Sequence, residues 1–362
     1  MKAGRAREFA PEIPQKKDVV WQNPGQIRPF SSRCHVPLLA HSISIGDGIL
    51  SSEIVLQTRY ISKSYHEARV LNRVSLEIKR GEMVGLIGAS GSGKSTLIRA
   101  IAGLTAIDQA DGITGQAEGE IRLFSQPIQQ CGRVARSANG LRARVGIVFQ
   151  QFNLVPRLSV LTNVCLGLLG RMPLLPATVG HFTLEQKRRA MRALARVSIA
   201  DHALKRGSDL SGGQQQRAAI ARVLVQGAEF IVADEPIASL DPNSARRVMD
   251  ILGDLNRRDG ITVLVSLHQV EYALRYCPRT IALKAGEIVY DGPSSALTSE
   301  LLCAIYGAES DDLFASVESI PSSLQQLVNA TRVPAATSAK NGNGAFDLSC
   351  LPRAEPTRQM HV

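Results

Sequence analysis

A chain of 362 residues is long enough for one large domain or two and for a substantial buried core. It contains no run of about 18 uninterrupted apolar residues, so nothing in it reads as a membrane-spanning helix. The formal net charge of +10 suits anionic partners (nucleic acid, lipid headgroups or phosphate ligands) without choosing among them.

The basic N-terminus lacks an apolar run followed by a small-residue cleavage site, so no secretory signal is expected. The cysteines Cys34, Cys131, Cys165, Cys277, Cys303 and Cys350 are scattered, with no C-x-x-C pair. That argues against a zinc site or a disulfide framework and for a reducing cytosol. Residues 1–52 mix Pro, Gly, Ser and basic residues without periodicity, and Trp21 has no apolar cluster beside it. Such composition reads as a disordered extension, with a segment that orders on a partner as the alternative.

From Glu53 the pattern changes. Ile54-Val55-Leu56 and the alternation Val74/Leu76/Ile78 predict strands around a turn at His66-Glu67-Ala68. Tyr65 lies at that turn, where an aromatic side chain either packs on the hairpin or stacks on a nucleotide base. Glu82–Ile87 is then a short apolar run suited to a buried parallel strand. Gly88-Ala89-Ser90-Gly91-Ser92-Gly93-Lys94-Ser95-Thr96 follows, with the spacing G-x-x-x-x-G-K-[ST]. Leu97, Ile98, Ile101 and Leu104 repeat at helical spacing behind it, and Gly103 can close the helix.

Strand, glycine loop and helix in that order make a phosphate-binding loop. Glycines let successive N–H groups turn toward one anion, and the helix N-terminus adds partial positive charge. Lys94 would reach the β- and γ-phosphates and Ser95 would ligate Mg²⁺, so the chain is expected to bind a nucleoside triphosphate. A Gly/Ser-rich turn with a chance lysine would not need these flanks.

Farther on, Asp108–Gly119 reads as a connection, Glu120–Phe124 as a strand, and Val145–Phe149 as a strand ending at Gln150. Helical periodicity appears in Val160–Leu169 and Glu185–Ile199, divided by a loop around Pro173–Gly180. Lys187, Arg188, Arg189, Arg192 and Arg196 read most simply as a solvated face. Leu210-Ser211-Gly212-Gly213-Gln214 opens the helical run Gln215–Val225. The strand Phe230–Glu235 ends in two carboxylates, Asp234 and Glu235. Ser239-Leu240-Asp241-Pro242, a helix over about Ser244–Arg257 and the strand Thr262–Ser266 follow, with His268 just beyond. Thr280–Leu283 and Glu287–Tyr290 form a hairpin joined at Ala285-Gly286, and order becomes doubtful past Gly307.

Ligands in open α/β sheets gather at the C-terminal ends of the strands, so Gln150, Asp234, Glu235 and His268 are all candidates to meet a nucleotide held by Gly88–Thr96. Asp234 can hold Mg²⁺, and Glu235 would orient or deprotonate the attacking water. Neighbouring strand residues point opposite ways, so the two carboxylates are expected to do different work. The simpler alternative is that they cap the following turn.

With the phosphate loop, Leu210–Gln214, Asp234-Glu235, Ser239–Asp241 and His268 in the order in which they occur, residues from about Glu53 to Glu300 resemble an ATP-binding-cassette (ABC) ATPase. The resemblance implies an α/β P-loop NTPase fold with a RecA-like core, an antiparallel β subdomain and a helical subdomain inserted at about 151–209. Residues 1–52 and 301–362 would be extensions, read from composition as disordered in the first case and largely disordered in the second. By resemblance Tyr65 stacks on adenine, and Gln150 senses Mg²⁺ and the attacking water. His268 contacts the γ-phosphate. Ser211, Gly212, Gly213, Gln214 and Asp241 complete the ATP site of a second subunit, head to tail.

Gln214–Arg217, Ala233–Pro242 and Ser266–Ala273 further resemble the ATPase subunit of phosphonate importers. Gln226-Gly227-Ala228 departs from the pattern by lacking a proline before the Asp234 strand. The implied activity is hydrolysis of ATP, with Mg²⁺, coupled to phosphonate uptake. The implied setting is a homodimer of cassettes at the cytoplasmic face of the inner membrane, with permease subunits and an extracytoplasmic binding protein. Alternatives are a cassette for another cargo, as in export or lipoprotein release, and a soluble ABC protein acting on nucleic acid or within an enzyme complex. One Leu-Ser-Gly-Gly-Gln and no sustained heptads weigh against the last, so no nucleic-acid partner is expected.

Overall fold

The structure is a computed structural model that describes residues 53–109, 119–135, 138–172 and 180–307. The expectations for residues 1–52, most of Asp108–Gly119, the loop at 173–179 and the tail from 308 lie outside the described residues.

Strands β1 (Ile54–Tyr65) and β2 (Ala68–Lys79) pair antiparallel around a turn at His66. β3 (Met83–Ile87) leads through the glycine loop into α1 (Lys94–Ile101). Next come β4 (Glu120–Leu123), β5 (Gln126–Gln130), β6 (Arg133–Val134), α2 (Ala138–Arg142) and β7 (Val145–Val148). A helical stretch holds α3 (Val160–Cys165), α4 (Leu184–Arg196) and α5 (Gly212–Gln226). The chain then runs β8 (Phe230–Ala233), α6 (Pro242–Asp259), β9 (Thr262–Ser266), α7 (Val270–Tyr276), β10 (Arg279–Lys284), β11 (Glu287–Pro293) and α8 (Ser299–Tyr306).

Two sheets result. The first is antiparallel, ordered β2-β1-β4-β5-β6; the second is ordered β11-β10-β3-β9-β8-β7, parallel from β10 to β7. A parallel sheet survives only when both faces are covered, and strand residues alternate between the two faces accordingly. In β3, Met83 and Ile87 join the core under the helices, while Val84 and Leu86 join the core shared with the antiparallel sheet. Ile231 and Ala233 against Phe230 and Val232 repeat the division in β8. Each large aliphatic side chain fully buried this way contributes about 1.5–3 kcal/mol.

Helix ends are written in the local sequence. Ser211 and Gln214 form a capping box at the start of α5, and Gly227 closes it in the left-handed conformation at φ 72°. Asp241 caps α6, Pro242 stands in its first turn, and Gly260 closes it.

Among the differences from the sequence reading, three concern the surroundings of the glycine loop and the carboxylates. Helix α1 stops at Ile101, and the left-handed Gly103 turns the chain so that Leu104 is 54% exposed instead of continuing the apolar stripe. β8 stops at Ala233, so Asp234 and Glu235 lie beyond the strand, and Glu235 sits at φ 47°. Strand alternation therefore does not apply to this pair, and a turn sets the backbone at Glu235. Finally, α8 crosses residue 300, and its Leu302, Ile305 and Tyr306 pack into the helical-side core.

Candidate functional site

The glycine loop owes its shape to three left-handed or near-mirror glycines. Gly88, Gly91 and Gly93 have φ of 147°, 77° and 106°. At Gly88 a Cβ would stand 2.1 Å from the Leu283 carbonyl oxygen, so close approach of β10 also demands glycine there. At Gly93 a Cβ would stand 2.7 Å from the Val70 carbonyl oxygen. The loop is thus gripped between the end of β10 and the start of β2.

Gly93 caps α1 without a side-chain hydrogen bond, which leaves the first-turn amides for an anion. The Lys94 ammonium, 5% exposed, donates to the carbonyls of Gly88 at 2.6 Å and Ala89 at 3.0 Å. Ser92 Oγ is buried beside Gly88 with no hydrogen-bond partner. A phosphate would supply an acceptor for such donors. Ala89 is half-buried, Ser90 exposed, and Thr96 half-buried in the first turn of α1.

One hydroxyl organises the two carboxylate residues. Ser266 Oγ, fully buried at the end of β9, donates to Asp234 Oδ1 at 3.0 Å and accepts the Glu235 N–H at 2.8 Å. Ser95 Oγ donates to the same Asp234 oxygen at 3.0 Å. Asp234 is 6% exposed and Glu235 is half-buried. The phosphate loop and the ends of β8 and β9 are therefore joined by direct hydrogen bonds. Ser95 Oγ and Asp234 Oδ1 are hard oxygen donors side by side, a pair that fits Mg²⁺.

His268 is half-buried just past β9, its ring 6.4 Å from that of Tyr306. The Tyr306 hydroxyl accepts the Gly88 N–H at 3.2 Å, which brings His268 and the loop to one aromatic side chain. Gln150 is exposed two residues after β7. It lines a cavity of about 550 Å³ with Phe152, Asn153, Gly207, Gln215 and Ser239, where the sheet edge meets the helical stretch. Tyr65 ends β1 at the hairpin turn, 43% exposed, with the Lys63 ammonium 5.4 Å from its ring centre.

Ser211, Gly212, Gly213, Gln214 and Asp241 form a second group. The Ser211 hydroxyl and amide exchange hydrogen bonds with Gln214, and Asp241 Oδ1 accepts from the amides of Asn243 and Ser244. Hydrogen bonds from Ser244, first through its side chain, hold the exposed Asp241 carboxyl below its ordinary value. A Cβ on Gly213 would meet Ser244 Oγ at 2.5 Å, so the ends of α5 and α6 touch. All hydrogen bonds named for this group are local, unlike those of the first.

Ser266 and Tyr306 are the two contributors that sequence reasoning missed. A signal existed for Ser266, a hydroxyl closing the strand after the apolar Val263-Leu264-Val265 on the side where ligands gather. Tyr306 carried none.

Strand, glycine loop and helix beside a carboxylate pair, on a parallel core sheet with an antiparallel sheet against it, define an ATP-binding cassette. The chain belongs to the ABC transporter family, whose model matches residues 71–238. More particularly, it is 56% identical over 257 residues to the phosphonates import ATP-binding protein PhnC 1 of Pseudomonas aeruginosa, spanning 71% of this chain and 90% of that protein. It is 53% identical over 265 residues to the phosphonates import ATP-binding protein PhnC of Caulobacter vibrioides, spanning 73% and 98%. Among solved structures, a dimeric ATP-binding cassette in a post-hydrolysis state bound to ADP and Pi matches with a TM-score of 0.55 and 32% identity. That match covers 66% of this chain and 98% of the other.

Proposed function

We propose that this chain is the ATP-hydrolysing subunit of a phosphonate importer, acting on a separate permease from the cytoplasmic face of the membrane. The observation that carries the reading is the 56% identity over 90% of a phosphonates import ATP-binding protein. No helix among the described residues is long and apolar enough to cross a membrane, in keeping with permease subunits as partners. An extracytoplasmic phosphonate-binding protein would deliver the cargo. The catalytic unit in this reading is residues 53–307.

Phosphates would bind the amides of Gly88–Thr96, and Lys94 would exchange its two carbonyl partners for phosphate oxygens. Ser95 and Asp234 would hold Mg²⁺, with Gln150 as a further oxygen donor from across the domain. When bound, Mg²⁺ neutralises phosphate charge and polarises the bond that breaks. Glu235 would take the proton of the attacking water, and its backbone bond to Ser266 supports that placement. His268 would contact the γ-phosphate, and Tyr65 would stack on adenine. Ser211, Gly212, Gly213, Gln214 and Asp241 would close over the ATP of a second copy. The head-to-tail homodimer is supported by the dimeric cassette that the fold matches.

Deleting the gene should abolish growth on a phosphonate as sole phosphorus source and leave growth on phosphate intact. The unmodified gene should restore growth and a Lys94→Ala gene should not. Undiminished phosphonate uptake in the deletion strain, with no paralogue expressed, would overturn the cargo assignment.

A further inference from the structure

Helix α8 is the last described element of the chain, and it ends on the glycine loop. Thr298 caps it by accepting the Leu301 N–H, and Leu302, Ile305 and Tyr306 bury its inner face. Lys284, at the end of β10, donates to the Ala304 carbonyl and ties the last turn to the strand that grips Gly88. Tyr306 is 4% exposed, and its hydroxyl oxygen takes the Gly88 N–H across 218 positions of sequence.

This bond falls at a decisive place. Gly88 is the first residue of the phosphate loop, and its carbonyl holds the Lys94 ammonium. Turning the Gly88 amide toward α8 fixes the plane of the preceding peptide and, through it, the direction in which the loop leaves β3. The same ring stands 6.4 Å from His268 at an interplanar angle of 58°. One side chain therefore backs both the loop that holds phosphate and the histidine proposed to contact it.

We propose that Tyr306 is a positioning residue for ATP hydrolysis: its hydroxyl sets the aim of the phosphate loop through Gly88, and its ring braces His268. The inference rests on the reading of Gly88–Thr96 as the ATP site and adds to it a residue outside every motif of that site. Ground-state binding is spread over many loop amides and survives a small shift of the loop. Alignment of the transferred phosphoryl group does not, so the loss should fall on kcat.

The test uses the full chain with Tyr306→Phe, which removes only the hydroxyl, and Tyr306→Leu, which removes the ring as well. An N–H left without its acceptor inside the protein corresponds to a factor of about 5–150. With the loss falling on alignment in the transition state, Tyr306→Phe should lower kcat for ATP by a factor in the range of about 5–150 with KM nearly unchanged. It should also shift the Gly88 amide resonance in glycine-labelled protein and leave the His268 ring resonances in place. Tyr306→Leu should move both sets. An unchanged kcat, a loss confined to thermal stability or to KM, or an unmoved Gly88 resonance would each overturn the proposal. Lys94→Ala separates the two levels of inference. If that variant binds ATP normally, the reading of the loop fails, while the Gly88 resonance still reports on the Tyr306 link.

Discussion

Replacing Ser266 with Ala removes a single oxygen that two site residues depend on. The Glu235 N–H loses its acceptor at 2.8 Å, and Asp234 Oδ1 loses one of its two hydroxyl donors, each at 3.0 Å. An unsatisfied buried N–H costs about 1–3 kcal/mol and a hydrogen bond to a charged group contributes about 1.5–3 kcal/mol. Ser95 keeps its hold on Asp234, so the two terms do not simply add, and a net loss of roughly 3 kcal/mol is expected. For a domain of this size that lowers Tm by about 6–12 °C. Function should suffer more than folding. Glu235 is held at a positive φ of 47°, a conformation a non-glycine residue keeps only under external constraint, and its amide bond to Ser266 supplies one. Once released, the carboxylate drifts, and a misplacement of about 1 Å can cost about 10²-fold in turnover. Lys94 and the loop amides are untouched, so ATP affinity should hold. Differential scanning fluorimetry, nucleotide titration and steady-state ATPase assays on folded protein measure the three quantities separately. A Ser266→Ala chain that turns over ATP as fast as the unmodified one would refute the claim that this hydroxyl sets the carboxylates.

Glu235→Gln keeps the size of the side chain and removes the base. It should still bind ATP with Mg²⁺, turn over about 10²–10⁴-fold more slowly and accumulate as a dimer in size-exclusion chromatography. Lys94→Ala should instead weaken ATP binding and yield no such dimer, and an unchanged rate in Glu235→Gln would assign the base elsewhere. Away from the site, Glu229 accepts from Arg144 at 2.6 and 2.9 Å, and that hydrogen bonding holds its carboxyl below the ordinary value. A carboxyl depressed in the folded state stabilises above its unfolded pKa, and the contribution is lost as pH falls through the folded one. Because the pair is about one-third exposed, solvent screening limits it to about 1 kcal/mol. Glu229→Gln should therefore lower Tm by about 2–4 °C near neutral pH. The two melting curves should converge on acidification, and equal Tm values at neutral pH would contradict this.

The parts of the site that could be read in advance are those carried by short, continuous stretches. The Gly88–Thr96 spacing needs only its own backbone to curl and its own helix to start. The helix opening at Ser211-Gly212-Gly213 likewise lies within one short stretch, whereas α6 starts at Pro242, ahead of the Ser244 start read from the sequence, because Asp241 caps it. The β3, β8 and β9 strands were legible because strands buried on both faces are continuously apolar. Periodicity failed where a turn overrode it. Leu104 keeps the helical spacing of α1, but Gly103 at φ 67° has already redirected the chain. Glu235 follows an apolar strand in sequence, yet its left-handed backbone decides where its side chain goes.

What stayed illegible is what the sheet order creates. Ser266 meets Asp234 because β9 lies beside β8, and Leu283 meets Gly88 because β10 lies beside β3. Neither adjacency follows from spacing along the chain. Tyr306 is the extreme case, since α8 must cross the end of β10 before its hydroxyl can take the Gly88 amide. The motif supplies the loop's chemistry, but its position is set by β2, β10 and α8 together. A substitution in any of these can therefore alter turnover without touching a motif residue, whereas one in the solvated arginines of α4 should not. That asymmetry separates residues that hold the loop from residues that merely share its domain.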